Sequence, residues 1–247
     1  FFKKPPGSRY VGTFHLPFRA YHELRLRRTD WMLFDSIVTV SSEEQEYLQN
    51  EIGHPSVHFV PHGIDVDFYK PGEQLKSGSD HLRLLFVGSH RRDIGALEKV
   101  LVACQSLRLG VHFTVVSREN LRSKFSRYSN LTFRSGLDEV ELLRLYREAD
   151  ALFMPVKEGT ANNAILEALA CGLPILTTDI RGTRDYVHEG CASFFVNDSV
   201  DSMVNSIQRI MDDELRSTMA LMAREQALKF SWKKVGPAVG QLLRARE

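Results

Sequence analysis

The 247-residue chain is short of most features that would assign it to a class at once. It has no excess of charge of one sign: 32 Lys and Arg stand against 31 Asp and Glu, interleaved along the chain. That balance removes any bulk electrostatic case for nucleic acid, so partners must be argued from sites. No apolar run approaches the roughly 20 residues needed to span a bilayer, and the opening FFKKPPGSRY has no signal-peptide apolar stretch. Cysteine is scarce. Cys104, Cys171 and Cys191 are odd in number, widely spaced and set among apolar or small residues. They read as buried thiols in a reducing, cytoplasmic compartment rather than as a disulfide framework. No G-x-G-x-x-G follows a strand, and there is no phosphate-binding P-loop and no G-x-S-x-G elbow. These absences argue against an ordinary dinucleotide enzyme, a P-loop NTPase and a serine hydrolase of that type. His54, His58 and His62 are spaced by four, but Pro55 and Pro61 forbid a single helix through them, so no metal site is expected.

What is present is a soluble globular profile, 43% hydrophobic and 26% charged, long enough for one large domain or two ordinary ones. RYVGTFH, IVTVS and SVHFV read as short strands. FRAYHELRLRRTDWMLFDS, between the first two, has helical spacing, and Ser41 and Ser42 with Glu44 and Gln45 make a capping-box signature for the next helix, which Gly53 can close. YKPGEQLKSGSD, ending at Asp80, is the best linker candidate. Beyond it, continuous apolar runs alternate with helical stretches through LRLLFVG, VHFTVVS, LTFRSG, ALFMPV, PILTT and ASFFV, and two helices end the chain. Apolar strands separated by helices predict an α/β, doubly wound parallel sheet. Its ligands belong in the loops after the strands, where strand order reverses.

The most informative of those loops is GTANNAILEALACGLPI, residues 159–175. A helix N-terminus receives an anion on its unpaired N–H groups, and Gly159 lets the backbone come close. Asn162 or Asn163 can cap the helix or donate to an oxygen. Glu167 sits about one turn further on, in a helix otherwise almost wholly apolar or small, and a buried charge needs a partner. It could accept from the two vicinal hydroxyls of a ribose. Phosphate and ribose together point to a nucleotide, and a plain capped helix with a solvated Glu is the alternative.

NAILEALACGLPILTTDIRGTRDYV, together with LLRLYREADALFMP, VPHGID and YVGTFH, resembles the retaining glycosyltransferases of family 4, in matching order from about Tyr10 to Val196. The resemblance implies the GT-B fold and transfer of a sugar from a nucleotide-sugar, UDP- or GDP-linked, to an acceptor hydroxyl with retention of configuration, without a required metal or other cofactor. It implies that Glu167 holds the ribose hydroxyls and that the N-terminus of its helix faces the donor diphosphate. An acidic residue eight positions earlier ordinarily contacts the sugar; here that position is Gly159, with Glu158 one step out of register. Either Glu158 substitutes through a bulge, or Asn162, Asn163 or a backbone N–H makes the contact. After the first donor-domain strand, VGSHRRDIG keeps Gly88 but lacks the family's usual basic pattern, leaving Arg91 or Arg92 to meet the leaving diphosphate. His15 matches a histidine facing the reacting centre, Gly136 and Leu137 match positions lining the nucleobase pocket, and Arg181-Gly182-Thr183 matches a loop near the donor.

The family pattern divides the chain into a partial N-terminal, acceptor-side Rossmann-like segment (1–70), a linker (71–80), a nucleotide-sugar-binding Rossmann-like domain (81–230) and a C-terminal helix (231–247) packing back on the N-terminal segment. The usual first strand and glycine-rich acceptor loop of the N-terminal domain are not in this sequence, which begins with Phe. A non-catalytic nucleotide-sugar-binding or assembly module is therefore the second reading, and an epimerase on the same fold, for which no extra acid/base pair is seen, the third. An incomplete N-terminal sheet would expose an edge and favour a homodimer. RLRR, Arg25 to Arg28, interleaved with Tyr21, Leu24, Leu26 and Trp31, could make weak contact with a membrane or an anionic acceptor, or simply be a solvated basic face.

Overall fold

The computed structural model describes residues 5, 7–72 and 81–244. Most of the expected linker, residues 73–80, lies outside them.

The first part of the chain forms a parallel sheet of three strands, β1 (Val11–Phe14), β2 (Ser36–Thr39) and β3 (Val57–Phe59), in the order 1-2-3. Between the first two, the long helical stretch expected from spacing is broken into α1 (Phe18–Glu23) and α2 (Arg28–Trp31). The break comes where Arg25 takes a left-handed φ of 52°, and it lets Tyr21 and Trp31 both turn inward and pack edge to face at 4.9 Å. Aromatic burial outweighs the continuity of a single helix. The third helix, α3 (Ser42–Asn50), is capped by Ser41, whose side chain accepts from the Glu43 N–H. The reciprocal half of the expected box is not formed, because Glu44 is fully buried and its carboxylate makes no hydrogen bond of normal geometry among the described residues.

The second sheet has six parallel strands in the order β6-β5-β4-β7-β8-β9: β4 (Leu82–Val87), β5 (Val111–Val116), β6 (Leu131–Arg134), β7 (Ala151–Met154), β8 (Ile175–Thr178) and β9 (Ala192–Phe195). Within β4 the side chains alternate: Leu84 and Phe86 join one layer and Leu85 the other, as a pleat requires. The first layer, with Phe113, Val115, Phe153 and Leu176, is covered by α4 (Ile94–Ser106) and by α9 (Val200–Arg209), which contributes Met203 and Ile207. The second is covered by α6 (Glu139–Glu148), α7 (Asn163–Ala170) and α10 (Asp213–Lys229). One element is shorter than the helical pattern of ENLRSKFSRY, residues 119–128, suggests: it is a 3-10 turn followed by α5 (Arg122–Phe125). GTRDYVHEG, which reads as a helix or a turn, holds the end of α8 (Arg181–Arg184) and a turn.

Three helices rather than two end the chain, because Ser199 and Asp212 each cap a new start and α11 (Trp232–Arg244) follows an isolated bridge from Ile64 to Ser231. Val235, Val239 and Leu242 of α11 pack with Val11, Val38 and Val60 of the three-stranded unit. The chain thus crosses back from the six-stranded unit to cover the first one. The two units also meet at a polar seam. The backbone N–H and hydroxyl of Ser42 donate to Asp185 at 2.8 and 2.7 Å, and Tyr186 Oη donates to the Val40 carbonyl at 2.6 Å while accepting from the His62 N–H.

Candidate functional site

Strand order in the larger sheet reverses between β4 and β7, so the loops leaving their carboxyl ends splay apart and open a crevice. Those loops are residues 88–93 and 155–162, and they are tied to one another. Asp93 N–H donates to the Pro155 carbonyl and Lys157 N–H to the Arg91 carbonyl, at 2.9 and 3.1 Å. A small cleft of about 90 Å³ lies here, with His15, Leu16 and Pro17 of the three-stranded unit on one wall and Arg91, Arg92, Glu158, Gly159 and Asn162 among the residues on the other.

Gly88 turns the chain out of β4 with φ of 95°, a conformation open to glycine at little cost, and a Cβ there would stand 3.3 Å from the Arg92 guanidinium. Arg92 is consequently folded back over its own loop. Its Nε donates to the Val87 carbonyl, Nη1 to the His90 carbonyl and Nη2 to Asn162 Oδ1, at 3.1, 3.3 and 3.0 Å. Burial holds its pKa below the usual arginine value, opposed by the acidic groups of Tyr146 and Glu167. Arg91, with φ of 54°, pairs with Glu158, and its Nε is buried without a partner among the described residues.

Asn162 proves to be the N-cap of α7: its Oδ1 accepts from the Ala164 N–H at 3.1 Å and also receives Arg92. Asn163, one residue on, is exposed. The helix is therefore locked in place by a residue from the neighbouring loop, with an arginine beside its positive end. An anion placed there would meet two favourable fields.

Glu167 lies on the second turn of α7. Tyr146, fully buried on α6, donates its hydroxyl to Glu167 Oε2 at 2.8 Å. Burial raises the Glu167 pKa, and the charge of Glu139 raises it further; the Tyr146 hydrogen bond and the Arg92 charge pull it down. The carboxylate expected to need a partner has one from the protein, which spacing did not reveal. Tyr146 reads in sequence as one more member of the apolar face of α6. Its hydroxyl is the signal that could have been followed, since a fully buried Tyr needs an acceptor.

His15 sits just past β1 on the wall opposite the arginines. Its carbonyl accepts from Thr160 Oγ1 at 2.7 Å, so the loop before α7 is stitched to the three-stranded unit. Its ring meets that of His62 at 5.8 Å, and burial, followed by the His62 charge, lowers its pKa. Thr160 was not singled out from sequence. Gly182 matters for a related reason: a Cβ there would fall 1.8 Å from the Gly159 carbonyl oxygen, so α8 and the loop touch backbone to backbone. Gly136 and Leu137 are not brought to this cleft. They follow β6, which β5 separates from β4, and Gly136 has φ of 67° in open space.

The sheet, its flanking helices and the crevice define the class first. The chain superposes on sucrose-phosphate synthase from Thermosynechococcus elongatus with a TM-score of 0.78 at 22% identity, over 96% of this chain and 67% of that one. It matches the Anabaena Alr3699/HepE structure in complex with UDP and glucose with a TM-score of 0.79 at 15% identity, over 96% and 72%. At these identities the likeness concerns the fold, which is α/β and GT-B-like. Residues 81–213 match the family described as "Glycosyl transferases group 1", and the chain belongs to that family. Among curated relatives, the D-inositol 3-phosphate glycosyltransferase of Corynebacterium jeikeium (strain K411) is 26% identical over 234 residues, covering 83% of this chain. The chain spans 56% of that relative's length.

Proposed function

We propose that the protein moves a sugar from a nucleotide-sugar donor to an acceptor hydroxyl with retention of configuration, without a metal. The observation that carries this reading is the convergence of the α7 N-terminus, Arg91, Arg92 and Glu167 on the loops at the β4/β7 reversal. The donor diphosphate would lie across the N-terminus of α7, with Arg91 or Arg92 taking the charge that develops as it departs. Glu167, held by Tyr146 through one oxygen, would offer the other to the ribose hydroxyls. The acceptor would attack from the face the phosphate leaves, whose oxygen can take the proton, so no separate protein base is required. His15 would face the reacting sugar, which Glu158, Gly159 or Asn162 would contact, and Gly136 and Leu137 would border the base if the nucleotide reaches past β5.

In this reading residues 81–230 form the donor half and residues 1–70 the acceptor side, with the acceptor itself unspecified. The edge strands of the three-stranded sheet support a homodimer, and the three buried free cysteines support a reducing, cytoplasmic setting. Calorimetry with UDP and GDP tests the site. Glu167→Ala should weaken nucleotide binding roughly 10- to 100-fold, the loss of hydrogen bonds to a charged group; unchanged affinity would remove Glu167 from the ribose.

A second reading, a nucleotide-sugar-binding module without transfer, is favoured by the Arg91–Glu158 pair. It occupies the side chain nearest the expected sugar contact, in a cleft of about 90 Å³. Ligand sites are commonly several hundred Å³. Turnover with a panel of nucleotide-sugars separates the two: binding without transfer or hydrolysis supports the module.

A further inference from the structure

Residues 23–29, at the turn joining α1 to α2, are an unbroken run of solvent-exposed positions. Leu24 and Leu26 are 59% and 38% exposed, and Met32 and Leu33, just beyond α2, are 40% and 48% exposed. Other large apolar side chains left in solvent are scattered singly or in pairs along the chain. Here four fall within ten residues, and basic residues alternate with them. Arg27 is paired with Asp30, whereas Arg19, Arg25 and Arg28 have no acidic partner among the described residues. The same segment turns its aromatics inward, with Tyr21 and Trp31 in the core, so the leucines are not exposed for want of order.

The geometry points to a bilayer carrying anionic headgroups as the partner of this turn, with Leu24, Leu26, Met32 and Leu33 entering the headgroup boundary and Arg19, Arg25 and Arg28 meeting lipid phosphates. Apolar side chains flanked by arginines match a surface that is negative outside and apolar just beneath. A second copy of this chain fits less well, since a two-fold contact would set these unpaired arginines near their own equivalents. Nucleic acid would use the arginines and leave the leucines wet. The docking needs no nucleotide, so its outcome is independent of the sugar-transfer reading.

Co-sedimentation of the 247-residue chain with vesicles decides it, using phosphatidylcholine alone or with about 30% phosphatidylglycerol. The expected result is binding to the anionic vesicles, at least about tenfold weaker on phosphatidylcholine, and lost between roughly 0.1 and 0.5 M salt. Leu24→Ser/Leu26→Ser and Arg25→Gln/Arg28→Gln should each reduce binding about fivefold or more, with circular dichroism unchanged, since all four side chains are exposed. Absence of binding to anionic vesicles overturns the proposal. So does binding that ignores Leu24 and Leu26, which is surface adsorption, or a dimer in sedimentation velocity that the leucine variant dissolves while vesicles bind neither form.

Discussion

Each sheet unit draws a helix carboxylate inward, Glu44 fully and Glu167 in part, and the two are provided for differently. Glu167, on α7 of the six-stranded unit, receives the Tyr146 hydroxyl and lies in the field of Arg92. Glu44, on α3 of the three-stranded unit, has both oxygens shut from solvent without a hydrogen bond of normal geometry among the described residues, and the nearby Tyr21 hydroxyl likewise has none there. A buried polar group left unpaired costs stability. The larger unit has its charge built into a site, whereas the smaller unit carries one at a loss. Stability and chemistry are therefore unevenly divided between them.

The largest test of that division is a core truncation confined to one side. Phe153 is fully buried in the centre of the six-stranded sheet, stacked at 5.1 Å on Phe195. Phe153→Ala should cost about 3–5 kcal/mol. Both tryptophans lie by the smaller unit, Trp31 in its core and Trp232 against His62, so their fluorescence reports on the half that was not mutated. With α11 and the Ser42–Asp185 seam joining the units, the tryptophan midpoint in urea should fall along with the circular dichroism midpoint. A fluorescence midpoint that stays put would show the halves unfolding separately.

The second test acts on the unpartnered carboxylate. Burial pushes the Glu44 carboxyl from 4.5 up to about 7, against partial relief from Ser41 and from backbone N–H groups. A raised pKa means the native state favours the protonated form. The associated stability is complete below about pH 4.5 and is lost as pH rises through about 7. Glu44→Gln removes that titration. It should raise stability by about 3 kcal/mol at pH 8 relative to its effect at pH 4, measured by urea unfolding at each pH. A pH-independent difference would show that Glu44 is already paired.

Tyr146→Phe is the matching change on the other side, and it should act in the opposite sense. Removing the hydroxyl leaves Glu167 buried with one donor fewer, at a cost of about 1–2 kcal/mol. It also removes an influence that lowers the Glu167 pKa, so more of the carboxyl is protonated as pH falls. UDP affinity in the variant should consequently decline at a higher pH than in the wild type, as calorimetry across the acid range would show. Gain of stability at Glu44 and loss at Glu167 would together establish the asymmetry.

Sequence made the larger unit far easier to read than the smaller. Its strands are continuous apolar runs between capped helices, so β4 to β9 and the loops after them could be placed before any coordinates. Asn162 as a cap and Glu167 as a carboxylate entering an apolar helix were visible for the same reason. The smaller unit failed where tertiary packing overrode spacing: helical periodicity through residues 18–36 could not show that Arg25 would turn left-handed so that Tyr21 and Trp31 meet. The capping-box signature at Ser41 likewise could not show that Glu44 would be drawn inward. Tyr146 and Thr160 were hidden for another reason. Their partners, Glu167 and the His15 carbonyl, lie far along the chain or across the fold.

The smallest expected effect concerns how the halves are held together. Two residues reach from α8 and its C-cap to α3: Asp185 accepts from the Ser42 N–H and hydroxyl, and Arg181 pairs with Glu46 and donates through Nε to Ser42 Oγ at 3.2 Å. Their settings differ. Arg181 and Glu46 are both about half exposed, 47% and 52%, where solvent screens the charges and two long side chains must be ordered. Asp185 instead receives an N–H of the first helical turn, otherwise without an intrahelical partner, and adds charge at the positive end of α3. Asp185→Asn should therefore destabilise by about 1 kcal/mol and Arg181→Ala by less than about 0.5 kcal/mol. If salt and Arg181→Ala loosened the seam more than Asp185→Asn, the exposed pair rather than the helix cap would be what joins the two units.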